Sequence, residues 1–284
     1  MARLTIVLGP TAVGKTAYSI ELARKLGCPV LNCDSRQIFR QMRIGTARPA
    51  EEELAQVRHY FVASRDVWEG YTAGLFEIEA LELLEQLFKE YDDVVMCGGS
   101  CLYIDALCNG LDDFPEADAQ LRAQLMERLQ SEGLESLRFE LRRLDPQSFV
   151  FIDPSNPQRI VRALEVTLAT GKPYSAWRTS PSKERPFEIR KIGLTRPREE
   201  LYARIDARVD RMMDEGLLEE ARSLLPCRDL PALNTVGYRE LFGYFDGRYP
   251  LEEAVRLIKR NTRHYAKKQL SWWRRDSSIE WITF

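Results

Sequence analysis

A glycine-rich loop near the amino terminus constrains the fold more than any other feature of this sequence. Residues 9–16 read GPTAVGKT, and they lie between an apolar run at residues 3–8 and a helical pattern at residues 16–27. A strand, such a loop and a helix in this order form a phosphate-binding loop. Its members are Gly9, Pro10, Thr11, Ala12, Val13, Gly14, Lys15 and Thr16. The sequence therefore predicts a phosphate site, but the motif does not specify which phosphate compound binds.

Each part of this loop has a role in binding phosphate. Glycine allows successive backbone N–H groups to point at one anion, and the helix that follows adds the positive end of its dipole. Lys15 supplies a mobile positive charge, and the Thr16 hydroxyl is the expected ligand of a Mg²⁺ ion. Enzymes that hydrolyse nucleoside triphosphates normally place an acid after another apolar strand. The run at residues 92–100 ends in CGGS without a carboxylate, which weakens that alternative and leaves a kinase open.

Strand and helix patterns alternate along most of the chain. The patterns predict strands at residues 3–8, 29–35, 92–100 and 187–195 and helices at 16–27, 76–91 and 197–225, with IEWITF at 279–284 as a candidate last strand. This alternation predicts an α/β fold with a parallel sheet core flanked by helices. The core domain is expected to comprise residues 1–112 and 187–284.

Residues 113–186 have a different character. They show helical patterns and no convincing strand. Within them, Asn156 is the expected N-cap of a helix that has Pro157 at its first position and ends at Gly171. We therefore expect an all-helical insertion domain here.

Polar residues follow the second and third predicted strands. Asp34 and Ser35 lie at the carboxyl end of the predicted strand at 29–35, and Ser100 lies at the carboxyl end of the one at 92–100. In open parallel sheets, ligands bind outside the carboxyl ends of the strands, so these residues are expected to converge on the phosphate loop. Asp34 is a candidate general base or metal organiser, or else it caps the next turn. Ser100 is either a helix N-cap or a contact to the phosphate or its metal.

A basic segment lies near the carboxyl terminus. Residues 256–275, RLIKRNTRHYAKKQLSWWRR, contain eight Lys and Arg residues and no Asp or Glu, with Tyr265, Trp272 and Trp273 interleaved. Cations suit backbone phosphates and flat rings stack on exposed bases, so RNA is one candidate partner. The alternative is a solvated helix face whose aromatic side chains belong to the core. Two of the cations could instead reach a small diphosphate.

The overall composition is that of an ordinary globular protein. Of 284 residues, 41 are Lys or Arg and 43 are Asp or Glu, so a nucleic-acid partner requires local clustering of charge. Six cysteines without a Cys-x-x-Cys pair, and only two histidines, make a zinc site improbable. No signal peptide or membrane-spanning segment is evident. We expect reduced thiols in a cytoplasmic protein that does not bind membranes, and a monomer.

Taken together, the motifs resemble the tRNA dimethylallyltransferases, also called tRNA isopentenyltransferases. The resemblance covers nearly the whole chain and rests on an ordered set: GPTAVGKT, DSRQIF, RIGTARP, CGGSCLYI, DPSNPQRIVRALEVTLATGKP, LYARIDARVDRMMDEGLLEE, VGYREL and TRHYAKKQLSWWRR. It implies a P-loop kinase-like core and transfer of the dimethylallyl group from dimethylallyl diphosphate. The implied acceptor is the exocyclic N6 amine of the adenosine directly 3′ of a tRNA anticodon. The phosphate loop would then bind the isoprenoid diphosphate rather than ATP.

The resemblance also assigns roles to individual residues. Asp34 is the implied general base, with Lys15 and Ser100 as the other catalytic residues. The helical insertion and the basic segment are the implied grip on the anticodon stem-loop. The residues expected to contact tRNA are Asp34, Ser35, Arg36, Gln37, Ser100, Arg122, Gln158, Arg159, Ile160, Val161, Arg162, Arg263 and Lys267.

Three other functions remain as alternatives at this point. A small-molecule or nucleoside kinase would share the loop and the acid after the second strand, but would not need the basic and aromatic segment. Prenyl transfer to free adenine nucleotides would not need the helical insertion. A non-catalytic RNA-binding module would not need Lys15, Thr16 or Asp34.

Overall fold

The computed structural model describes residues 2–112, 114–115, 118–178 and 183–284. Within them the core is a parallel sheet of six strands in the order β3-β2-β4-β1-β5-β6. The strands are Arg3–Leu8 (β1), Val30–Asn32 (β2), His59–Tyr60 (β3), Asp93–Cys97 (β4), Glu188–Thr195 (β5) and Ile279–Thr283 (β6). All strand pairs in the sheet are parallel, which confirms the predicted α/β class.

Helices connect and follow the strands. They are Lys15–Leu26 (α1), Glu51–Leu54 (α2), Ala73–Leu87 (α3), Cys101–Asn109 (α4), Ala119–Ser131 (α5), Leu134–Leu144 (α6), Pro157–Thr170 (α7), Tyr174–Trp177 (α8), Arg198–Asp214 (α9), Leu217–Ser223 (α10), Tyr238–Phe245 (α11) and Leu251–Trp273 (α12). None of the helices in the described ranges is both long enough and apolar enough to cross a membrane.

The chain forms two compact units. One consists of Met1–Cys108 with Glu184–Phe284, and the other is Asn109–Lys183. In the first unit, sheet residues such as Val7 and Ile192 pack with apolar residues of α1, α9 and α12. In the second, α5, α6 and α7 bury a separate apolar cluster that includes Leu125, Leu141 and Leu164.

Local capping explains the limits of several helices. The side chain of Asn156 accepts a hydrogen bond from the backbone N–H of Arg159, Pro157 opens α7, and Gly171 ends it in a left-handed conformation, as predicted. Thr72 caps α3 through the N–H of Leu75, which starts this helix three residues before the predicted position.

One predicted helix is divided in the structure, and one strand was not predicted. The helix predicted over 197–225 is divided into α9 and α10, because Gly216 adopts a φ of +100° between them and side chains rarely tolerate that conformation. The two-residue strand β3 was not predicted, because an edge strand of that length shows no periodic pattern.

The sheet order brings three loops to one edge. β2, β4 and β1 are neighbours, and their carboxyl ends lead to Asp34, to Gly98-Gly99-Ser100 and to the phosphate loop, respectively. A Cβ atom at Gly98 would lie 2.6 Å from the carbonyl carbon of Cys33, so only glycine allows these two loops to approach so closely. The fold thus places all three predicted site segments side by side.

Candidate active site

The phosphate loop depends on glycine at its first position. Gly9 has a φ of +147°, and a Cβ atom there would lie 2.5 Å from the carbonyl oxygen of Leu194 on the neighbouring strand β5. Ala12 and Gly14 also have positive φ, at +65° and +113°. Such alternation of backbone conformation turns successive N–H groups toward one side and forms an anion-binding nest.

Lys15 lies against its own loop. Its Nζ donates hydrogen bonds to the carbonyl oxygens of Gly9 at 2.9 Å and Pro10 at 3.0 Å. An ammonium has three donors, so one remains for an anion in the nest. Burial lowers the pKa of Lys15, and the positive charge of Arg208 acts in the same direction, while Cys97 and Asp34 oppose the shift.

Three arginines on and before α9 surround the loop, and their position there was not predicted from the sequence. Arg196 Nε donates to the carbonyl of Val13 at 2.9 Å, and Arg204 Nε donates to the carbonyl of Ala12 at 2.8 Å. Arg208 Nη1 lies 3.5 Å from Thr11 Oγ1. Arg204 and Arg208 are four residues apart within a predicted helix, a spacing that places them on one face and was the available signal.

Arg208 is partly buried beside the loop. Burial lowers its pKa, and the charges of Arg211 and Arg204 add to the effect. A guanidinium stays protonated in proteins, so this repulsion raises the positive potential at the site instead of discharging the group. The loop is therefore lined by an ammonium and by guanidinium groups, which suits a ligand that carries several negative charges.

Asp34 combines both of its predicted roles. Its Oδ1 accepts the backbone N–H groups of Arg36 at 2.9 Å and Gln37 at 3.4 Å, so the carboxylate does cap the turn that follows β2. Its Oδ2 has no hydrogen-bond partner among the described residues. One oxygen thus fixes the orientation of the side chain and the other is available to accept a proton.

Ser100 is connected to the Asp34 turn. Its Oγ accepts the backbone N–H of Ser35 at 2.8 Å and donates to Ser35 Oγ at 3.0 Å. Ser100 is buried, and its hydroxyl bonds Ser35 instead of an N–H of α4. Ser100 therefore orients the residue beside Asp34, and neither of the two roles considered from the sequence accounts for these bonds.

Two cavities meet at these residues. A cavity of about 260 Å³ is lined by the phosphate loop, Gly98, Gly99 and Arg204, and it is mainly polar. A second cavity of about 120 Å³ has an apolar wall that includes Val209, Met212 and Leu217. The residues that line both are Thr11, Asp34, Thr46, Ala47, Arg208 and Tyr265. Asp34 thus lies where a polar compartment adjoins an apolar one.

The loop at residues 43–47 forms part of the wall of both cavities, and Glu220 on α10 anchors it. The Glu220 carboxylate accepts the backbone N–H groups of Arg43, Ile44 and Gly45 at 2.8–3.0 Å and the hydroxyl of Tyr238 at 2.7 Å. Gln37 Nε2 donates to the carbonyls of Thr46 and Ala47 at 3.1 Å, so its amide holds this loop from the other side. The donors of Gln37 are therefore used within the protein.

The residues present fit a magnesium ion that is shared with phosphate oxygens. Thr16 lines the polar cavity, and its hydroxyl makes no hydrogen bond among the described residues. Asp34 lines the same cavity. No group of three or more His, Cys, Asp and Glu side chains in the described ranges is arranged to bind a metal. Mg²⁺ commonly takes one or two protein oxygens together with substrate phosphates and water, so this donor set is sufficient.

The helical unit contains several of the predicted tRNA contacts. Arg122 pairs with Glu165 at 3.0 Å and donates to Gln158 at 3.3 Å, and Arg162 pairs with the same carboxylate at 3.2 Å. Arg159 is exposed. These polar side chains form one group on α5 and α7, although Glu165 neutralises part of its charge.

Ile160 and Val161 do not belong to that group. Both are fully buried in the apolar cluster of the helical unit, which leaves no side-chain surface for RNA. Their inclusion among the tRNA contacts is therefore wrong for the side chains. The cause is that a run of consecutive residues on a helix faces in several directions, so only every third or fourth residue shares a face.

The basic segment on α12 divides into two parts. In the first, Arg256, Lys259 and Arg263 pair with Glu253, Asp210 and Asp206, which lie outside the segment. In the second, four cations are exposed and form no ion pair within the described ranges: Lys267, Lys268, Arg274 and Arg275. Trp273 is buried, whereas Tyr265 and Trp272 are about 40% exposed. The first half therefore has the character of a solvated helix face, whereas the second half carries cations, unpaired among the described residues, beside an exposed ring.

The chain is similar in sequence and in fold to several known proteins. Residues 37–276 match the model of the IPP transferase family. The chain is 51% identical to tRNA dimethylallyltransferase 2 of Porphyromonas gingivalis ATCC 33277 over 98% of this chain and 93% of the relative. It is 49% identical to tRNA dimethylallyltransferase 1 of Bacteroides thetaiotaomicron over 99% and 92%. The crystal structure of tRNA isopentenylpyrophosphate transferase from Bacillus halodurans superimposes with a TM-score of 0.73 at 35% identity, over 100% of this chain and 90% of that one.

The family model spans most of the chain, and the similarity to these relatives extends over nearly its full length. The resemblance inferred from the sequence motifs is thereby confirmed: the chain belongs to the IPP transferase family.

Proposed function

We propose that this protein transfers the dimethylallyl group of dimethylallyl diphosphate to the N6 amine of the adenosine 3′ of the anticodon in tRNA, with release of diphosphate. One observation carries the proposal. A phosphate loop surrounded by cationic side chains shares its cavity with a carboxylate oxygen that has no partner among the described residues. Leaving-group binding and proton acceptance are the two functions that this reaction demands of a protein.

The donor's diphosphate would occupy the polar cavity. The backbone N–H groups of Gly14, Lys15 and Thr16, the Lys15 ammonium and Arg208 would stabilise the negative charge that grows on diphosphate as the allylic C–O bond breaks. The Thr16 hydroxyl, together with phosphate oxygens and water, would hold Mg²⁺, which would supply further charge stabilisation. The five-carbon group would then lie near the boundary with the apolar cavity, where Asp34 is located.

The acceptor amine is conjugated with adenine and is a weak nucleophile. As its nitrogen forms the new N–C bond, the electron pair of the C–O bond leaves with diphosphate. The amine becomes acidic during the attack, and Asp34 Oδ2 accepts the proton. The cap that Oδ1 makes to Arg36 and Gln37 keeps the carboxylate from turning away.

The target base must leave its stack to reach an enclosed carbon atom, so we propose that the enzyme extrudes it from the anticodon loop. Ser35, Arg36 and Gln37 would contribute to the site that receives it. Exposed cations on α12, Lys267 among them, would contact the phosphate backbone. Arg263 is paired with Asp206 and would contribute less.

The helical unit would supply a further tRNA contact. The polar side chains that it offers for this purpose are Arg122, Gln158, Arg159 and Arg162. We thus propose that the core domain, predicted from the sequence to comprise residues 1–112 and 187–284, carries out the chemistry. The helical insertion would bind RNA.

The test is incubation with dimethylallyl diphosphate, Mg²⁺ and unmodified tRNA, followed by digestion and mass measurement of the nucleosides. We expect one adenosine to gain a dimethylallyl group. A parallel reaction with ATP in place of the donor serves as the control for a kinase. ATP consumption without any gain of mass in tRNA would overturn the proposal, and so would prenylation of free AMP in preference to tRNA.

A further inference from the structure

Gln269 joins two of the loops that form the site. It lies on α12 and is 2% exposed, directly after the exposed pair Lys267 and Lys268. Its Oε1 accepts the backbone N–H of Thr11 at 2.9 Å, and its Nε2 donates to the carbonyl of Gly99 at 2.8 Å. One amide therefore bridges the phosphate loop and the turn after β4.

The approach of this amide requires glycine at position 99. A Cβ atom on Gly99 would lie 2.5 Å from Gln269 Nε2. Gly99 is followed by Ser100, whose hydroxyl holds Ser35, and Ser35 adjoins Asp34. The hydrogen bonds of Gln269 thus begin a continuous connection from the loop that holds the donor to the turn that holds the general base.

The same side chain also affects the anion nest. Thr11 is one of the loop residues, and its N–H is directed at Gln269 Oε1 instead of at the cavity. The phosphate loop thereby loses one N–H donor for the anion, but its position relative to the turn at Gly99 is fixed. Buried polar networks in which every member is bonded are rigid, and they specify one arrangement of the groups that they join.

We propose that Gln269 is a positioning residue that fixes the distance between the departing diphosphate and the Asp34 carboxylate. The inference rests on the proposed function, because it assigns to Gln269 a role in that reaction. Gln269 lines the polar cavity, but both polar atoms of its amide are bonded to Thr11 and Gly99, so it acts on the reaction through these two residues.

Gln269→Met tests this role, since methionine has a similar volume and removes both hydrogen bonds. A misplacement of about 1 Å can cost about 10²-fold in rate, so we expect the single-turnover rate at saturating donor and tRNA to fall by about that factor. The dissociation constant for tRNA should change by less than about threefold, because the RNA-facing cations on α12 are unaltered.

Asn261→Ala is the matched control. Asn261 is also an amide on α12; it donates to Glu240 at 2.7 Å and lines neither cavity. This variant should transfer the dimethylallyl group at the wild-type rate, even if its melting temperature falls as much as that of Gln269→Met. Should Gln269→Met not fold, Gln269→Glu replaces it, since it keeps an acceptor for Thr11 but loses the donor to Gly99, and it should slow transfer at least about tenfold.

The outcomes separate this inference from the proposed function. Wild-type protein that fails to prenylate tRNA contradicts the function itself. Wild-type protein that transfers normally, together with a Gln269→Met variant within threefold of its rate, overturns the positioning role alone. Equal losses of rate in Gln269→Met and Asn261→Ala would also overturn it, because the effect would then reflect stability of α12.

Discussion

Replacing Asp34 with Asn separates the two functions that the structure assigns to its oxygens. Asparagine retains a carbonyl oxygen that can accept the N–H groups of Arg36 and Gln37, whose nitrogens lie 2.9 and 3.4 Å from Oδ1 of Asp34 in the wild-type protein. It replaces Oδ2, which has no partner among the described residues, with an amide nitrogen that cannot accept a proton. The turn should therefore persist while the base is lost.

The expected magnitude follows from these roles. A positioned general base contributes about 10²–10⁴-fold to a rate, which corresponds to about 3–5 kcal/mol of transition-state stabilisation. Asp34→Asn should show this loss with little change in the free energy of unfolding. Asp34→Ala also removes a side-chain cap of two N–H groups and should cost a further ~0.5–2 kcal/mol in the free energy of unfolding.

The assay is single-turnover prenyl transfer with donor and tRNA both saturating, alongside tRNA affinity by filter binding and urea unfolding of each variant. Transfer by Asp34→Asn at the wild-type rate would refute the assignment of the base. So would a collapse of tRNA binding while the complex that still forms reacts normally, because Asp34 would then act in RNA recognition.

Three other outcomes are expected. Lys15→Met should raise the KM for dimethylallyl diphosphate and leave tRNA affinity unchanged, whereas Lys25→Met on the same helix, an exposed lysine paired with Glu21, should change neither; equal effects of the two would contradict the role of the loop. Lys268→Gln should lower the slope of log K for tRNA against log salt by about one. Lys259→Gln, which removes an ammonium that already pairs with Asp210, should lower this slope less. A Lys268→Gln slope equal to that of the wild-type protein would show that this part of α12 does not face RNA. Glu220→Gln turns one acceptor oxygen into a donor that faces backbone N–H groups, and it should cost about 2–4 kcal/mol in the free energy of unfolding by urea; an unchanged midpoint would mean that this carboxylate does not anchor the 43–47 loop.

Features that depend on neighbouring residues could be predicted from the sequence. The strand, loop and helix around Gly14 and Lys15 form within about two dozen residues, and the caps at Asn156 and Gly171 act within a single turn. The convergence of Asp34 and Ser100 on the phosphate loop followed from a general property of parallel sheets. In each case the sequence pattern and the structure are related by short-range geometry.

Features that depend on distant pairs could not be predicted. Thr11 and Gln269 are 258 positions apart, and Gly45 and Glu220 are 175 apart, so no local pattern connects them. The basic segment contains no acids of its own, so its charge appears uncompensated in the sequence. The acids that neutralise its first half lie elsewhere in the chain, as Asp206 does for Arg263. Only the fold determines which of these charges remain unpaired.

The central claim is that one compartment holds diphosphate while Asp34 faces the acceptor amine. The most direct measurement is a crystal structure with Mg²⁺, a non-reactive analogue of dimethylallyl diphosphate and an anticodon stem-loop. We expect diphosphate oxygens against residues 9–16 and the adenosine N6 within about 2.6–3.2 Å of Asp34 Oδ2. An empty phosphate loop, or a target adenosine whose N6 is turned away from Asp34, would contradict the account.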